Sequence, residues 1–150
     1  MMRLGEYIDK ELVLPDLAST GKAEVLRELT EALAAHHPGV DAGLALAVLL
    51  DREGLGTTGI GDGVAIPHGK LASLERIFLC VGRSRKGVDF EALDFKPCTI
   101  FFLVLAPEQM TGIHLRILAH ISRLLKDEHF RKDFFEAKDR DALFALLQGY

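Results

Sequence analysis

Apolar positions recur with a helical period in some stretches of the chain and form unbroken runs in others, and this contrast predicts its elements. Lys22 to His37 carries Val25, Leu26, Leu29 and Leu33 on one helical face, and Pro38-Gly39 stops it. Asp41 caps a second helix that runs through Leu44, Val48 and Leu49 to Arg52-Glu53, where Gly54 terminates it. Thr111 opens a longer helix in which His114, Leu118, Ile121 and Leu125 share one face. Two shorter helices follow, around Glu128 to Ala137 and Asp139 to Gln148. Ile77 to Gly82 and Thr99 to Leu105 are β-branched, aromatic and nearly continuous in apolarity, as strands covered on both faces are. Leu12-Val13-Leu14-Pro15 reads as a brief strand or extended arm. Gly87-Val88-Asp89-Phe90 and Asp94-Phe95-Lys96-Pro97 are turn-like, with room for a short edge strand. Helices interspersed with buried strands predict an α/β sandwich with helices on both faces of a central sheet. Strand order does not follow from the pattern. Nothing repeats and no Pro/Gly/Ser-rich linker divides the sequence, so residues 1–150 are expected to form one domain.

Composition narrows the class of partner. Apolar residues make up 49% of the chain, enough for a proper core, and charged residues 27%, which suits a soluble surface. The net charge of −4 argues against nucleic acid as the main partner. Arg83-Ser84-Arg85-Lys86 is too short a basic run to reverse that, and reads as a solvated turn. The N-terminus lacks the apolar core of a signal peptide, and no apolar stretch reaches membrane-spanning length. Cys80 and Cys98 lie in strand-like surroundings without a CxxC spacing, which suggests buried thiols in a reducing cytoplasm.

The chemistry concentrates between Gly59 and Lys70, in Gly-Ile-Gly-Asp-Gly-Val-Ala-Ile-Pro-His-Gly-Lys. Gly59, Gly61 and Gly63 permit backbone with φ > 0 and close approach of a ligand. Pro67 restricts Ile66 to an extended shape, so the imidazole of His68 is expected just beyond a strand end, with Gly69 leaving its approach open. A loop histidine that merely bonds a carbonyl is the ordinary alternative. The glycine bracket favours a presented, reactive ring.

Other chemistries fit poorly. His114 and His120 are six residues apart on a helix and diverge, His36 and His37 are adjacent, and no cysteine pair assists, so a metal site is not expected. There is no GxSxG elbow around any serine. The glycines match neither GxxxxGK[ST] nor GxGxxG, so the loop is no nucleotide fingerprint. A neutral imidazole, by contrast, can attack a phosphoryl group in line and hold it as a phosphoramidate without a cofactor. Positive charge around the transferred oxygens would then be needed, and Arg52 is the natural candidate, its fork suiting phosphoryl oxygens. A helix-end arginine favoured by the macrodipole explains the same position. His114, in the first turn of its helix, is the candidate to orient the phosphoryl group; a core-edge histidine on an apolar face is the commoner case.

Ile-Pro-His-Gly-Lys-Leu at the end of this segment resembles the active-site segment of enzyme IIA proteins of the fructose–mannitol class. These belong to the phosphoenolpyruvate-dependent sugar phosphotransferase system. Thr-Gly-Ile-Gly before the histidine and Lys-Leu after it are most similar to the nitrogen-regulatory branch. Leu50-Asp51-Arg52-Glu53, Gly87-Val88-Asp89-Phe90, Ala92-Leu93-Asp94, Leu103 to Glu108 and His114-Leu115-x-Ile117-Leu118-Ala119 extend the resemblance over nearly the whole chain. It implies a mixed, roughly five-stranded sheet with helices on both sides, the three-layer sandwich of mannitol-specific IIA. It implies His68 as the phosphorylated residue, Arg52 as the phosphate-contacting arginine and His114 as the second active-site histidine. His120 becomes a helix-surface residue, and Asp62 receives no role. The implied partners are a phosphorylated HPr-type carrier or its nitrogen-branch counterpart as donor, and a IIB or regulatory protein as acceptor, with no cofactor, nucleic acid or membrane insertion. A regulator read through its phosphorylation state is expected first, a IIA component of a fructose/mannitol-type transporter second, and a binding-only module third. Docking would use an apolar rim near His68 formed by residues such as Leu55, Ile60 and Leu71.

Overall fold

The computed structural model describes residues 2–150. Its elements run β1 (Val13–Leu14), α1 (Lys22–His36), α2 (Ala42–Gly54), β2 (Gly59–Gly61), β3 (Val64–Ala65), β4 (His68–Lys70), β5 (Phe78–Val88), β6 (Cys98–Ala106), α3 (Thr111–Leu125), α4 (Glu128–Glu136) and α5 (Arg140–Leu147). The six strands form one mixed sheet in the order β1-β5-β6-β3-β2, with β4 also paired to β6. β5 and β6 are antiparallel, while β1 joins β5 and both β3 and β4 join β6 in parallel. β3 and β4 lie along the same flank of β6, Val64 opposite Ile100 and His68 opposite Val104. They are one strand line interrupted at Ile66-Pro67, so the sheet has six strands at five positions.

Alternation along β6 divides the core in two. Phe101, Leu103 and Leu105 pack with Val25, Leu26, Leu29 and Leu33 of α1 and with Ala45 and Leu49 of α2. Ile100, Phe102 and Val104 pack on the other face with Ile117 and Ile121 of α3, Phe130 and Phe134 of α4, and Leu143 and Leu147 of α5. The period of two sends successive side chains to opposite faces, so a strand apolar throughout serves both layers. The sandwich expected from the apolar pattern is the one observed.

Two expectations need correction. β5 does not end at Gly82 but runs on to Val88, and the basic tetrapeptide is not a solvated turn. Arg83 and Ser84 are fully buried. The Arg83 guanidinium donates to Pro15 O at 3.0 Å, to Phe134 O at 3.2 Å and to Ala137 O. Phe134 O and Ala137 O lie at the C-terminal end of α4, where carbonyls run short of intrahelical donors, and with Pro15 O they engage the guanidinium on both sides, which is why a buried arginine is tolerated there. Leu71, expected on an exposed rim, is buried in the α1/α2 layer, where its amide donates to Ala106 O.

The glycine-rich segment is a hairpin. Asp62 (φ 57°) and Gly63 (φ 77°) form its two-residue turn, both in the left-handed region that matches the twist of paired strands. Asp62 thus has a local structural part, and its amide is held by Asp94 Oδ2 at 3.2 Å. Both cysteines are buried and free, and burial pushes the thiols up, to about 12 for Cys80 and about 11 for Cys98. Among the described residues no helix is long and apolar enough to cross a membrane.

Candidate active site

His68 opens β4, and the neighbour that follows it decides which way it points. A Cβ on Gly69 would lie 2.5 Å from Val48 Cγ1, so residue 69 faces α2 at a distance only glycine allows. Strand alternation turns His68 and Lys70 to the opposite face, toward the start of α3. There Lys70 Nζ donates to Thr111 Oγ1 at 3.0 Å. The rings of His68 and His114 meet edge-on with centroids 5.9 Å apart. Arg52 arrives from the last turn of α2, its Nη1 donating to Gly56 O at 2.9 Å.

Arg52 and His68 together line two hollows. One, of about 430 Å³, is shared with Leu55, Lys70 and His114. The other, of about 150 Å³, is shared with Ile60 and Leu118. Leu55 is 85% exposed and Ile60 42%, so two of the three apolar rim residues expected near His68 stand in solvent beside it. Ile113 and Leu115 are exposed on the first turns of α3, on either side of His114 in the sequence. A larger hollow of about 620 Å³ lies elsewhere, between the end of α1 and the Ser73–Phe78 segment. Of the two histidines that line it, His36 and His37, the second is already bonded to Asp9 at 3.1 Å, and that hollow contains neither His68 nor His114.

The protonation of the site follows from its contacts. His68 Nδ1 lies 2.9 Å from Ile66 O and donates to it, since a carbonyl can only accept. The ring is therefore held with its proton on Nδ1 and its lone pair on Nε2. Burial lowers the His68 pKa, and the Arg52 charge lowers it further, against the Ile66 hydrogen bond and the Glu53 charge that raise it. His114 is driven down to about 4, chiefly by burial and then by His68 and Lys70. The positive end of α3 acts in the same direction. His114 is only 3% exposed, and its Nε2 is buried with no hydrogen-bond partner among the described residues. Such an atom is costly unless something arrives to bond it.

The structure thus brings together His68, Arg52 and His114, while His120 lies apart, beside Arg3 and Tyr150. The sequence reading passed over Glu53 and Lys22. Glu53 is 8% exposed and forms an ion pair with Lys22 Nζ at 3.1 Å. The signal was present: Ala45, Leu49 and Glu53, four apart, form the buried stripe of α2, so the carboxylate points inward. No three His, Cys, Asp or Glu side chains among the described residues converge as a metal ion would need.

Comparison with known proteins gives the family and the fold. A nitrogen regulatory protein of Bradyrhizobium diazoefficiens is 42% identical over 146 residues, covering 97% of this chain and 95% of the relative. The fructose-specific EIIABC component of Bacillus subtilis is 34% identical over 99% of this chain, which spans only 24% of that longer protein. Among solved structures, the nitrogen regulatory protein IIA-Ntr of Neisseria meningitidis superposes with a TM-score of 0.88 at 29% identity, covering 96% of this chain and 98% of that one. The mannitol IIA of Escherichia coli shares the fold, with a TM-score of 0.73 at 21% identity over 93% of this chain and 98% of that one. The family model for the phosphoenolpyruvate-dependent sugar phosphotransferase system, EIIA 2, matches residues 6–150, and the chain belongs to that family.

Proposed function

We propose that residues 1–150 act as one cytoplasmic phosphocarrier unit that accepts a phosphoryl group on Nε2 of His68 from a phosphorylated HPr-type protein or its nitrogen-branch counterpart. The observation that carries this reading is the Nδ1–H···O=C bond from His68 to Ile66. It leaves the Nε2 lone pair free on a ring that lines both hollows with Arg52. In the transfer, Nε2 attacks the phosphorus of the donor's phosphohistidine. The donor N–P bond breaks, and its electron pair returns to the donor imidazole. The positive charge that develops on the His68 ring strengthens its Nδ1–H bond to Ile66 O. Arg52 neutralises phosphoryl oxygens, and the unpartnered Nε2 of His114 donates a proton to a hydrogen bond with one of them. No cofactor enters the step.

The donor docks on the apolar rim of Leu55, Ile60, Ile113 and Leu115, which covers the reacting atoms from water. For the onward fate of the phosphate, regulation is favoured over sugar transport. The relative named as a nitrogen regulatory protein is matched at 42% over nearly its full length, against 34% for the fructose-specific component. Incubation with phosphoenolpyruvate, enzyme I and the carrier tests the central step. The expected result is an acid-labile, base-stable label that is lost in His68→Ala. An unlabelled wild type would support a binding-only module instead. Rapid passage of the label to a fructose-type IIB domain would favour the transport reading.

A further inference from the structure

Glu53 holds more partners than a helix-end carboxylate requires. Oε1 accepts from the Thr58 amide at 3.0 Å and pairs with Lys22 Nζ at 3.1 Å, while Oε2 accepts from the Thr58 hydroxyl. Lys22 also donates to Thr57 Oγ1 at 3.3 Å and lies over the Phe90 ring at 4.8 Å. Thr57 in turn donates to Phe90 O at 3.2 Å and accepts from the Gly59 amide at 3.1 Å. These bonds close the turn from Leu55 to Thr58. Gly56 is in that turn, and its carbonyl holds Arg52. A buried ion pair is a poor device for stability, because desolvation of both ions offsets their attraction. Its bonds here all converge on the backbone that carries the Arg52 anchor.

We propose that Glu53, with Lys22 as its counter-ion, is a positioning residue: it sets the Leu55–Thr58 turn and, through Gly56 O, fixes the guanidinium of Arg52 beside His68. The inference rests on the phosphocarrier reading of His68. Glu53 touches no reacting atom; beyond its charge, which raises the His68 pKa, it acts through Arg52.

The test is a coupling measurement on phosphoryl transfer from the phosphorylated carrier. Lys22→Met with Glu53→Gln removes both charges together, so neither is left buried and unpaired. With the fold retained by circular dichroism and melting, the transfer rate is expected to fall about 10- to 100-fold, the scale of a misplaced catalytic group. In an Arg52→Ala background the same pair of substitutions should cause little further loss, because residues acting in series are not additive. A purely structural Glu53 would give the same fold-loss with and without Arg52, and that result would overturn the proposal. Should the double variant fail to fold, Thr58→Val removes the hydroxyl donor alone, and Thr58→Ser should recover most of the rate it loses. Equal rates for Val and Ser would also overturn it. A labelled wild type with unaffected variants sinks the positioning role only, whereas an unlabelled wild type sinks the phosphocarrier reading and this inference together.

Discussion

His68 and His114 face each other edge-on at 5.9 Å between ring centroids, and both are held in the neutral state. Burial and the mutual repulsion of the two rings disfavour a pair of imidazolium ions here, and the Lys70 charge adds to the repulsion. The neutral pair suits phosphoryl acceptance, since one ring must offer a lone pair and the other a hydrogen-bond donor to an anion.

The same depression makes stability depend on pH. His114 has a folded pKa of about 4 and an ordinary unfolded value near 6.5, so between those values the unfolded chain binds more protons. Stability therefore rises with pH across that window and is lost on acidification, by on the order of 3 kcal/mol for His114 when the window is fully crossed. His68 contributes with the same sign. Chemical denaturation at a series of pH values should show the slope. His114→Leu should flatten it and raise stability at pH 7 by about 1 kcal/mol, because it removes an unpartnered buried nitrogen. The same variant should accept phosphate more slowly.

Arg52 is anchored through one nitrogen to Gly56 O, a single exposed bond, so its removal should leave the fold intact. Arg52→Ala is expected to slow phosphoryl acceptance by about 10²–10³-fold, the scale of losing one preorganised donor at a developing charge. Arg52→Lys should restore only part of the rate, because an ammonium cannot hold Gly56 O and the phosphoryl oxygens with the same planar fork. Rapid-quench transfer rates with matched thermal melts measure both. A wild-type rate in Arg52→Ala would remove the arginine from the site.

α1 and α3 were legible because their apolar stripes exceed two turns, and the His68 segment because glycines and a proline leave few conformations open. The failures have physical causes. β2, β3 and β4 are two or three residues long, too short to establish a period of two. Arg83 read as surface because arginine is rarely buried, and its partners at Phe134 and Ala137 lie more than fifty residues away. Leu71 looked like part of a rim from its nearness in sequence to His68, but its buried place is set by the end of β6. Glu53 was passed over as a helix-end charge, although its spacing from Ala45 and Leu49 put it on the inward face.

Gly69 gives a test of how the imidazole is aimed. A methyl group there meets Val48 Cγ1 at 2.5 Å, well inside van der Waals contact. Gly69→Ala must push α2 and β4 apart, at a cost of about 1–3 kcal/mol for overpacking. Because His68 precedes it on the strand and Arg52 lies one helical turn beyond Val48, the displacement should also slow phosphoryl transfer. Val48→Ala combined with Gly69→Ala vacates the clashing methyl and should recover both stability and rate. Failure of the double variant to recover would mean that the clash is not the cause.

Phe95 occupies the left-handed region at φ 61°, with its ring 95% exposed. The conformation is imposed by its surroundings: its amide donates to Ala92 O at 3.0 Å, and the Asp94 carboxylate holds the amides of Lys96 and Asp62. An L-residue with a Cβ costs on the order of 1–2 kcal/mol there, and so exposed a ring returns almost nothing by burial. Phe95→Gly removes the clash but makes the unfolded chain more flexible, which offsets part of the gain. The net expectation is a stabilisation of about 0.5–1 kcal/mol, read as a rise of roughly 1–4 °C in Tm. Phe95→Ala separates backbone from side chain, since it keeps the Cβ and with it the strain. Alanine should therefore melt close to the wild type while glycine melts higher; equal shifts in the two variants would place the cost in the exposed ring and not in the backbone.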